Sequence, residues 1–103
     1  MGSNARTNAE LDNVQEERRR QERLKAEGRF RYTLADVEAS NTLRLGAVVE
    51  EIGEVSKNLL AREGLVTDGD PTLRALHTEL SQVAALSVAW MEYLTAQIDD
   101  GNV

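Results

Sequence analysis

Apolar positions recur at helical spacing in two long stretches of this chain, and a third stretch, nearer the N-terminus, has thin apolar content and a charged middle. Side chains three or four residues apart lie on one face of a helix, so the two apolar stretches predict amphipathic helices. Thr7 and Glu10 form a capping box, which predicts that the first helix begins there. Gly28 predicts that this helix ends at about Glu27, because glycine commonly follows a helix C-terminus.

Capping residues also set the expected ends of the other two helices. Serine, asparagine and threonine at 40–42 are candidate N-caps for a second helix over residues 43–62, which Gly64 would end. An Asp-Pro pair at 70–71 supplies N-cap and first-turn chemistry for a third helix, predicted over residues 71–97.

The composition favours a small all-α fold. Apolar residues make up 41% of the chain and aromatic residues only 4%, which suits a helical core of aliphatic side chains. One proline and few β-branched runs argue against a sheet. We therefore predict a single domain over residues 1–103, built as a bundle of three to four helices. The long second and third helices should be antiparallel, and residues 1–7 and 99–103 should be flexible.

The centre of the third helix, from Val83 to Met91, is apolar on nearly every side. A helix that is apolar all round should be buried all round, and three helices leave little to cover its far side. The small side chains of Ala85, Val88 and Ala89 therefore predict a subunit contact. We expect a homodimer or a homotetramer in which the helices form a larger bundle.

Carboxylates interrupt the apolar pattern on two of the predicted helices. Glu51 lies at the edge of the apolar arc of the second helix, and Glu54 lies just beyond it. On the third helix, Glu79 falls in the middle of the arc and Gln82 at its rim. Burying an unpaired charge is costly, so inward carboxylates persist when they are paired or bind a metal ion. If the two helices are neighbours, these four side chains form an oxygen cluster suited to a hard divalent cation.

Charge and cysteine content limit the kinds of partner and the cellular compartment that the sequence predicts. The net charge is -6, and an acidic chain is a poor general nucleic-acid binder, so no nucleic-acid partner is expected. Seven of the twelve basic residues lie between Arg18 and Arg31. This segment is either a solvated helix with internal ion pairs or a set of arginines that face a phosphate-bearing ligand. The absence of cysteine fits a reducing cytoplasm, and no stretch is long and apolar enough to predict a membrane partner.

The connection after the first helix combines aromatic and basic side chains. Phe30 and Tyr32 alternate with Arg29 and Arg31. Such side chains can stack on a base and pair with phosphate, or the two rings can anchor the loop to the core. His77 is the only histidine, and its position away from Glu79 on the helical wheel predicts a surface residue.

Two segments carry a resemblance to a known family. Residues 49–55, with Glu50, Glu51, Gly53 and Glu54, resemble the E-E-x-G-E segment of MazG-like nucleotide pyrophosphohydrolases. Residues 76–84 resemble the second motif of that all-α superfamily, which includes dimeric dUTPases and phosphoribosyl-ATP pyrophosphohydrolase. Its signature is E-x-x-E on one helix and E-x-x-D on the next, and it binds Mg²⁺. The resemblance covers roughly residues 15–97.

The resemblance implies a site with named residues. Mg²⁺, or Mn²⁺ as an alternative, would be held by Glu51, Glu54, Glu79 and Gln82, with Gln82 standing where the superfamily has Asp. An amide oxygen lacks the charge of a carboxylate, so it should weaken the site or mark a branch with different ligand geometry. The implied catalytic residues are Glu50 and Glu54, and the implied substrate-binding residues are Lys25, Arg29, Arg31, Tyr32 and Asn58.

Three functions follow as hypotheses. The first is hydrolysis of a nucleoside triphosphate, or a related nucleotide, to monophosphate and pyrophosphate. The second is nucleotide binding by a related protein that has lost turnover through Gln82. The third is a structural helical protein whose inward glutamates pair with arginines such as Arg44 or Arg62.

Overall fold

The computed structural model describes residues 2–103, with side chains from Asn4 onward, and that range contains three α-helices and no strand. The helix α1 spans Gly2–Ala26, α2 spans Asn41–Arg62 and α3 spans Leu73–Asp99. The predicted all-α fold is confirmed.

Glycine was predicted to end two of the helices, and both end two residues before that glycine, α1 before Gly28 and α2 before Gly64. Gly28 has a φ of 79° and its amide donates to the Lys25 carbonyl at 2.9 Å, which closes the last turn of α1. Gly64, with a φ of 76°, follows α2 in the same way. At the other end of α2, the Ser40 hydroxyl accepts a hydrogen bond from the Leu43 amide at 3.0 Å, as expected of an N-cap.

Two helix starts differ from their predictions. α1 begins at Gly2, so the capping box at Thr7 lies inside the helix. Residues 4–10 contain no proline or glycine that would stop a helix there. Met1 lies outside the described residues, and the flexibility of residues 1–7 and 99–103 stays a prediction.

The start of α3 is shifted two residues along the chain from its predicted position. Thr72 is the N-cap, because its side chain accepts a hydrogen bond from the Ala75 amide at 3.1 Å. Asp70 instead forms a turn before the helix, in which its carboxylate accepts from the Thr72 amide at 2.9 Å.

The helices α2 and α3 are antiparallel, as predicted. Near the start of α2, Arg44 stacks on Tyr93 from the last part of α3, with 3.5 Å between the guanidinium carbon and the ring centroid. Near the end of α2, Arg62 donates to the carbonyl of Pro71, just before α3, at 3.0 Å. The two helices therefore pass each other in opposite directions.

The central helix of the fold is α3, since α1 and α2 both pack on it and do not pack on each other. α1 runs in the same general direction as α3, because Glu10 contacts His77 at 2.7 Å and Arg18 pairs with Glu92 further along both helices. His77 is exposed, as predicted. A groove is left between α1 and α2, with α3 as its floor.

Polar side chains attach α1 to α3. Arg18 is only 9% exposed and donates to the Glu92 carboxylate through Nε at 2.9 Å and through Nη2 at 3.2 Å. Gln21, three residues further, is also buried. The interpretation of this segment as a solvated helix holds for outer pairs such as Arg20 with Glu17, but it is wrong for Arg18 and Gln21.

The small residues of α3 belong to the core of a single chain. Ala85 and Ala89 are both 0% exposed, so the prediction that they form a subunit contact is wrong. Their small side chains face the helices packed on α3 within the same molecule, where small side chains permit a short interaxial distance. Val88, the third residue of that prediction, is 37% exposed.

Arg44 fastens the connection between α1 and α2 to the helices. It is 1% exposed, and it donates through Nε to the Leu34 carbonyl at 3.0 Å and through Nη2 to the Asp36 carbonyl at 2.6 Å. Its Nη1 donates to the Asn41 side chain at 3.1 Å. Together with the stacking on Tyr93, these bonds make one side chain the link between loop, α2 and α3.

None of the three helices combines the length and the apolar content that a membrane span requires, over the residues described.

Candidate functional site

The groove between α1 and α2 contains a cleft of about 340 Å³, here called the interhelical cleft. All three helices and the loop at 29–34 contribute to its walls, so it exists only in the folded chain. Its lining residues are Gln21, Phe30, Tyr32, Thr33, Leu34, Leu43, Ala47, Glu50, Glu51 and Leu86. A further space of about 180 Å³ shares four of these residues and reaches Glu17, Arg20 and Gln82.

Three of the four side chains predicted to form an oxygen cluster meet beside this cleft. With its amide oriented so that the nitrogen faces the carboxylates, Gln82 donates to Glu51 Oε2 at 3.0 Å and to Glu79 Oε2 at 3.0 Å. Glu51 comes from α2, whereas Glu79 and Gln82 lie one turn apart on α3. The amide therefore bridges two carboxylates from different helices.

The two bridged carboxylates have no basic partner. No lysine, arginine or histidine of the described residues forms an ion pair with Glu51 or Glu79. Burial, followed by the hydrogen bond and the negative charge of Glu79, raises the pKa of Glu51 to about 7. The charges of Glu50 and Glu54 act in the same direction. Ionising Glu51 at neutral pH is therefore opposed by its surroundings.

Glu54 lies apart from this trio. It is exposed and borders a different cleft of about 480 Å³, which it shares with Glu79, Asn58 and Arg74 among others. Among the side chains described from Asn4 onward, no group of three or more acidic, histidine or cysteine residues is arranged to hold a metal ion. Two carboxylates and one amide thus form the centre of the site, and Glu79 borders the neighbouring cleft with Glu54.

The substrate-binding residues implied around the loop divide into two groups. Tyr32 lines the interhelical cleft, and the guanidinium of Arg31 lies over its ring at 5.4 Å. Arg29 is exposed near the same loop. Lys25 is instead paired with Asp36 at 2.8 Å, so its ammonium group stabilises the loop. Of Lys25, Arg29, Arg31 and Tyr32, it is Tyr32 that lines the interhelical cleft.

Asn58 has a structural contact as well as a position at a cleft. It is 6% exposed, and its Oδ1 accepts a hydrogen bond from the Asp70 amide at 3.0 Å. This bond ties the turn before α3 to α2. Asn58 lines the same cleft as Glu54, whereas Tyr32 lines the interhelical cleft.

The two aromatic residues of the loop face the cleft. Phe30 is 42% exposed, whereas Thr33 and Leu34 are 4% and 5% exposed, so the latter two anchor the loop. The alternative in which Phe30 and Tyr32 anchor the loop to the core is therefore wrong for Phe30, and it stays open for Tyr32, which is partly buried. Both Phe30 and Tyr32 present ring surface to the interhelical cleft, where a flat ligand could stack.

Neither arginine named in the structural hypothesis meets the inward glutamates. Arg44 is occupied by Leu34, Asp36 and Asn41, and Arg62 donates to Pro71. The ion pairs on which that hypothesis depends do not form among the described residues.

Gln21 is a polar residue of the cleft that was not among the predicted site residues. Its Oε1 atom is buried and has no hydrogen-bond partner among the described residues. A buried acceptor left unsatisfied costs about 1–3 kcal/mol. Spacing from Val14 to Arg18 and then to Gln21 continues one helical face, and that spacing was the available signal.

Comparison of the chain with protein-family models, with curated proteins and with solved structures found no match. The resemblance to MazG-like enzymes therefore depends on the motif residues. The structure adds the observation that Glu51, Glu79 and Gln82 of those motifs are neighbours in space.

Proposed function

We propose that this protein is a Mg²⁺-dependent nucleotide pyrophosphohydrolase, which cleaves a nucleoside triphosphate between its α and β phosphates. The observation that carries the proposal is the meeting of Glu51, Glu79 and Gln82 beside a cleft with an aromatic wall. Phosphate chemistry at a carboxylate site needs a cation, and base binding needs a flat apolar surface. The same groove offers residues for both.

The donor chemistry of the trio fits Mg²⁺, or Mn²⁺. Carboxylate and amide oxygens are hard ligands, and Glu51 and Glu79 have no basic partner to neutralise them. Glu51, Glu79 and Gln82, with its amide oxygen turned toward the ion, would hold it, whereas Glu54 borders the neighbouring cleft. When bound, the ion would neutralise phosphate charge and activate a water molecule for attack.

Other residues of the cleft have roles that follow from their chemistry. Glu50 lines the cleft next to Glu51, and its carboxylate would orient the attacking water and accept its proton. Phe30 and Tyr32 would stack on the base. Arg31, held over the Tyr32 ring, would pair with phosphate at the mouth of the cleft.

A panel of nucleoside triphosphates assayed with Mg²⁺ tests the proposal. The expected products from at least one substrate are a monophosphate and pyrophosphate, in a reaction that chelation of the metal stops. Glu63→Gln, at the exposed end of α2, is a control that should leave turnover unchanged. Release of inorganic phosphate alone, or no turnover with any triphosphate, would contradict the proposal.

A second candidate is nucleotide binding without turnover. The observation that favours it is the bridge in which the Gln82 amide nitrogen holds both carboxylates, because a donor occupies the place of a third acidic ligand. In this candidate, the cleft binds a nucleotide and the weakened cation site fails to support attack.

Gln82→Asp separates the two candidates. The change adds a negative charge beside Glu51 and Glu79, so Mg²⁺ should bind about tenfold more tightly, which corresponds to about 1.4 kcal/mol. Turnover that rises from near zero supports the binding candidate, and turnover that falls shows that native Gln82 serves the reaction. Mg²⁺ titration by calorimetry and a pyrophosphate assay measure both quantities. No change in either would place Gln82 outside the site.

We also infer that the protein assembles as a homodimer, or as a homotetramer built from two such pairs. Both α2 and α3 expose large apolar side chains at helical spacing, more than a single chain usually leaves in water. Those that are 41–67% exposed are Leu43, Leu45, Val49, Ile52 and Leu59 on α2, and Leu73, Leu80, Met91, Leu94 and Ile98 on α3. A second copy would cover these faces and complete a larger bundle.

Leu94→Glu is expected to weaken this assembly, because it places a charge in the apolar face of α3. Thr95→Glu, one residue away and also exposed, is the matched control and should leave assembly intact. Light scattering at micromolar concentration should give at least twice the chain mass of 11.4 kDa for the parent protein and the control. A parent protein of single-chain mass would show that these faces stay uncovered.

A further inference from the structure

Gln21 stands out among the described residues that line the interhelical cleft. Its side chain is 6% exposed and contributes to the cleft wall, yet its Oε1 atom has no hydrogen-bond partner. Oε1 is shielded from solvent in this rotamer, and buried polar atoms are nearly always paired, so the orphaned acceptor points to a second rotamer in which the amide turns its oxygen into the cleft to meet a ligand donor.

The other polar groups of the wall are mostly acceptors as well. Glu50 contributes a carboxylate, which accepts hydrogen bonds when ionised and then donates none, whereas Oε2 of Glu51 already accepts from Gln82. The hydroxyl of Thr33 already donates to Glu22 at 3.1 Å, which leaves the Tyr32 hydroxyl as a further polar group. The remaining lining side chains are Phe30, Leu34, Leu43, Ala47 and Leu86. The cleft thus presents apolar surface to the faces of a ring and acceptors to its edge.

We propose that Gln21 selects the base of the bound nucleotide by accepting a hydrogen bond from an exocyclic amino group, as carried by cytosine or adenine. The last side-chain torsion of glutamine is broad, so the amide can turn toward the ring while α1 stays in place. A base with a carbonyl oxygen at that position would set oxygen against oxygen and is disfavoured. This inference rests on the proposed function, because it takes a nucleotide as the ligand.

Two pairs of substrates isolate the amino group. Deoxycytidine and deoxyuridine triphosphates form one pair, and deoxyadenosine and deoxyinosine triphosphates form the other, each differing in an exocyclic amino or oxo group. The ratio of kcat/KM within each pair should favour the amino member by at least about tenfold in the parent protein, since a site built around a polar group rejects the mismatched analogue.

Gln21→Met should bring this ratio close to one while the substrates still bind by stacking. Gln15→Met, an exposed glutamine on the same helix, is the matched control and should keep the parent ratio. If Gln21→Met does not fold, as judged from its melting curve, Gln21→Glu tests the same point, because it retains an acceptor and should retain the amino preference. A preference for oxo bases, or a ratio unchanged in Gln21→Met, overturns the role of Gln21.

Binding of the monophosphates distinguishes failure of this inference from failure of the hydrolase proposal. Calorimetry with deoxycytidine and deoxyuridine monophosphates, without Mg²⁺, measures base selection independently of turnover. Tighter binding of the cytosine nucleotide that Gln21→Met abolishes supports the inference, even if no triphosphate is hydrolysed. Hydrolysis that shows no amino preference overturns the inference and leaves the hydrolase proposal intact. Equal binding of the two monophosphates also overturns it.

Discussion

The metal-free protein is expected to melt at a lower temperature at pH 8 than at pH 5, and Glu51→Gln is expected to remove that difference. The pKa of Glu51 is raised from its ordinary value of 4.5 to about 7, by burial first and then by Glu79. Between these two values the folded protein binds more protons than the unfolded chain. Its stability is therefore highest below pH 4.5 and falls as the pH rises to about 7.

The size of this fall follows from linkage. A shift from 4.5 to about 7 corresponds to at most about 3–4 kcal/mol. Solvent screening of a partly exposed carboxyl reduces the expected loss to about 1–2 kcal/mol. For a domain of this size, that loss lowers Tm by roughly 4 to 16 °C. Differential scanning calorimetry of the parent and Glu51→Gln proteins at both pH values measures it.

Mg²⁺ should reverse the loss, because the ion binds the ionised carboxylates and releases protons. At a hundred times its Kd a ligand adds about 2.7 kcal/mol, which raises Tm by roughly 10 °C or more at pH 8. The increase should be much smaller at pH 5. Glu51→Gln should lose most of the Mg²⁺ response and more than about a hundredfold in turnover, since it removes a ligand rather than a supporting group.

Glu63→Gln provides the control for the removal of one carboxylate from α2, and it should keep the pH dependence of the parent protein. Equal Mg²⁺ shifts at pH 5 and pH 8 would argue that the ion binds elsewhere. A Glu51→Gln protein that is less stable than the parent at pH 8 would show that the carboxylate is a structural partner. That result would contradict the proposed metal site.

Arg44→Met is expected to lower the free energy of unfolding by about 3 kcal/mol or more, because two carbonyl acceptors lose their donor, at about 1–3 kcal/mol each, and a cation–π contact is lost as well. The change leaves the Leu34 and Asp36 carbonyls without their donor and removes the stacking on Tyr93. In a domain of this size, Tm should fall by roughly 12 °C or more. Urea unfolding followed by circular dichroism measures the loss.

Arg62→Met is the matched control for this prediction. Arg62 lies near the other end of the same helix, is exposed and makes one hydrogen bond, to the Pro71 carbonyl. Its replacement should cost less than about 1 kcal/mol. Arg44→Lys should also destabilise the fold, because an ammonium group lacks the planar fork that reaches three acceptors. A loss for Arg44→Met no larger than that for Arg62→Met would contradict the role of Arg44 as the link between loop and helices.

The helices and most of their ends were predictable from the sequence because their signals are local. Gly28, Gly64 and Ser40 act within a turn of the residues they cap, so a short window contains the interaction. The start of α3 was misplaced because Asp70 and Thr72 are both good N-caps. Asp70 forms a turn with Thr72, and the Asp70 backbone amide donates a hydrogen bond to the Asn58 side chain of α2. These two contacts leave Thr72 as the N-cap.

The candidate site was predictable in part. Helical periodicity placed Glu51, Glu79 and Gln82 on inward faces, and the structure brings these three together. Periodicity does not state which turn of one helix meets which turn of the next. Glu54 therefore entered the predicted cluster on spacing alone, although in the fold it borders a separate cleft.

Local patterns in the chain were enough to establish three helices, their approximate limits and an acidic, inward-facing motif on two of them, because these depend on neighbours within about four residues. The other features depend on packing between distant parts of the chain. In the fold, α3 is the central helix, Ala85 and Ala89 are core residues, and Arg18 and Gln21 are buried. Long polar side chains such as these are buried when a partner or cavity on another helix accepts them. A partner such as Glu92, 74 positions further along the chain from Arg18, cannot be recognised from local spacing.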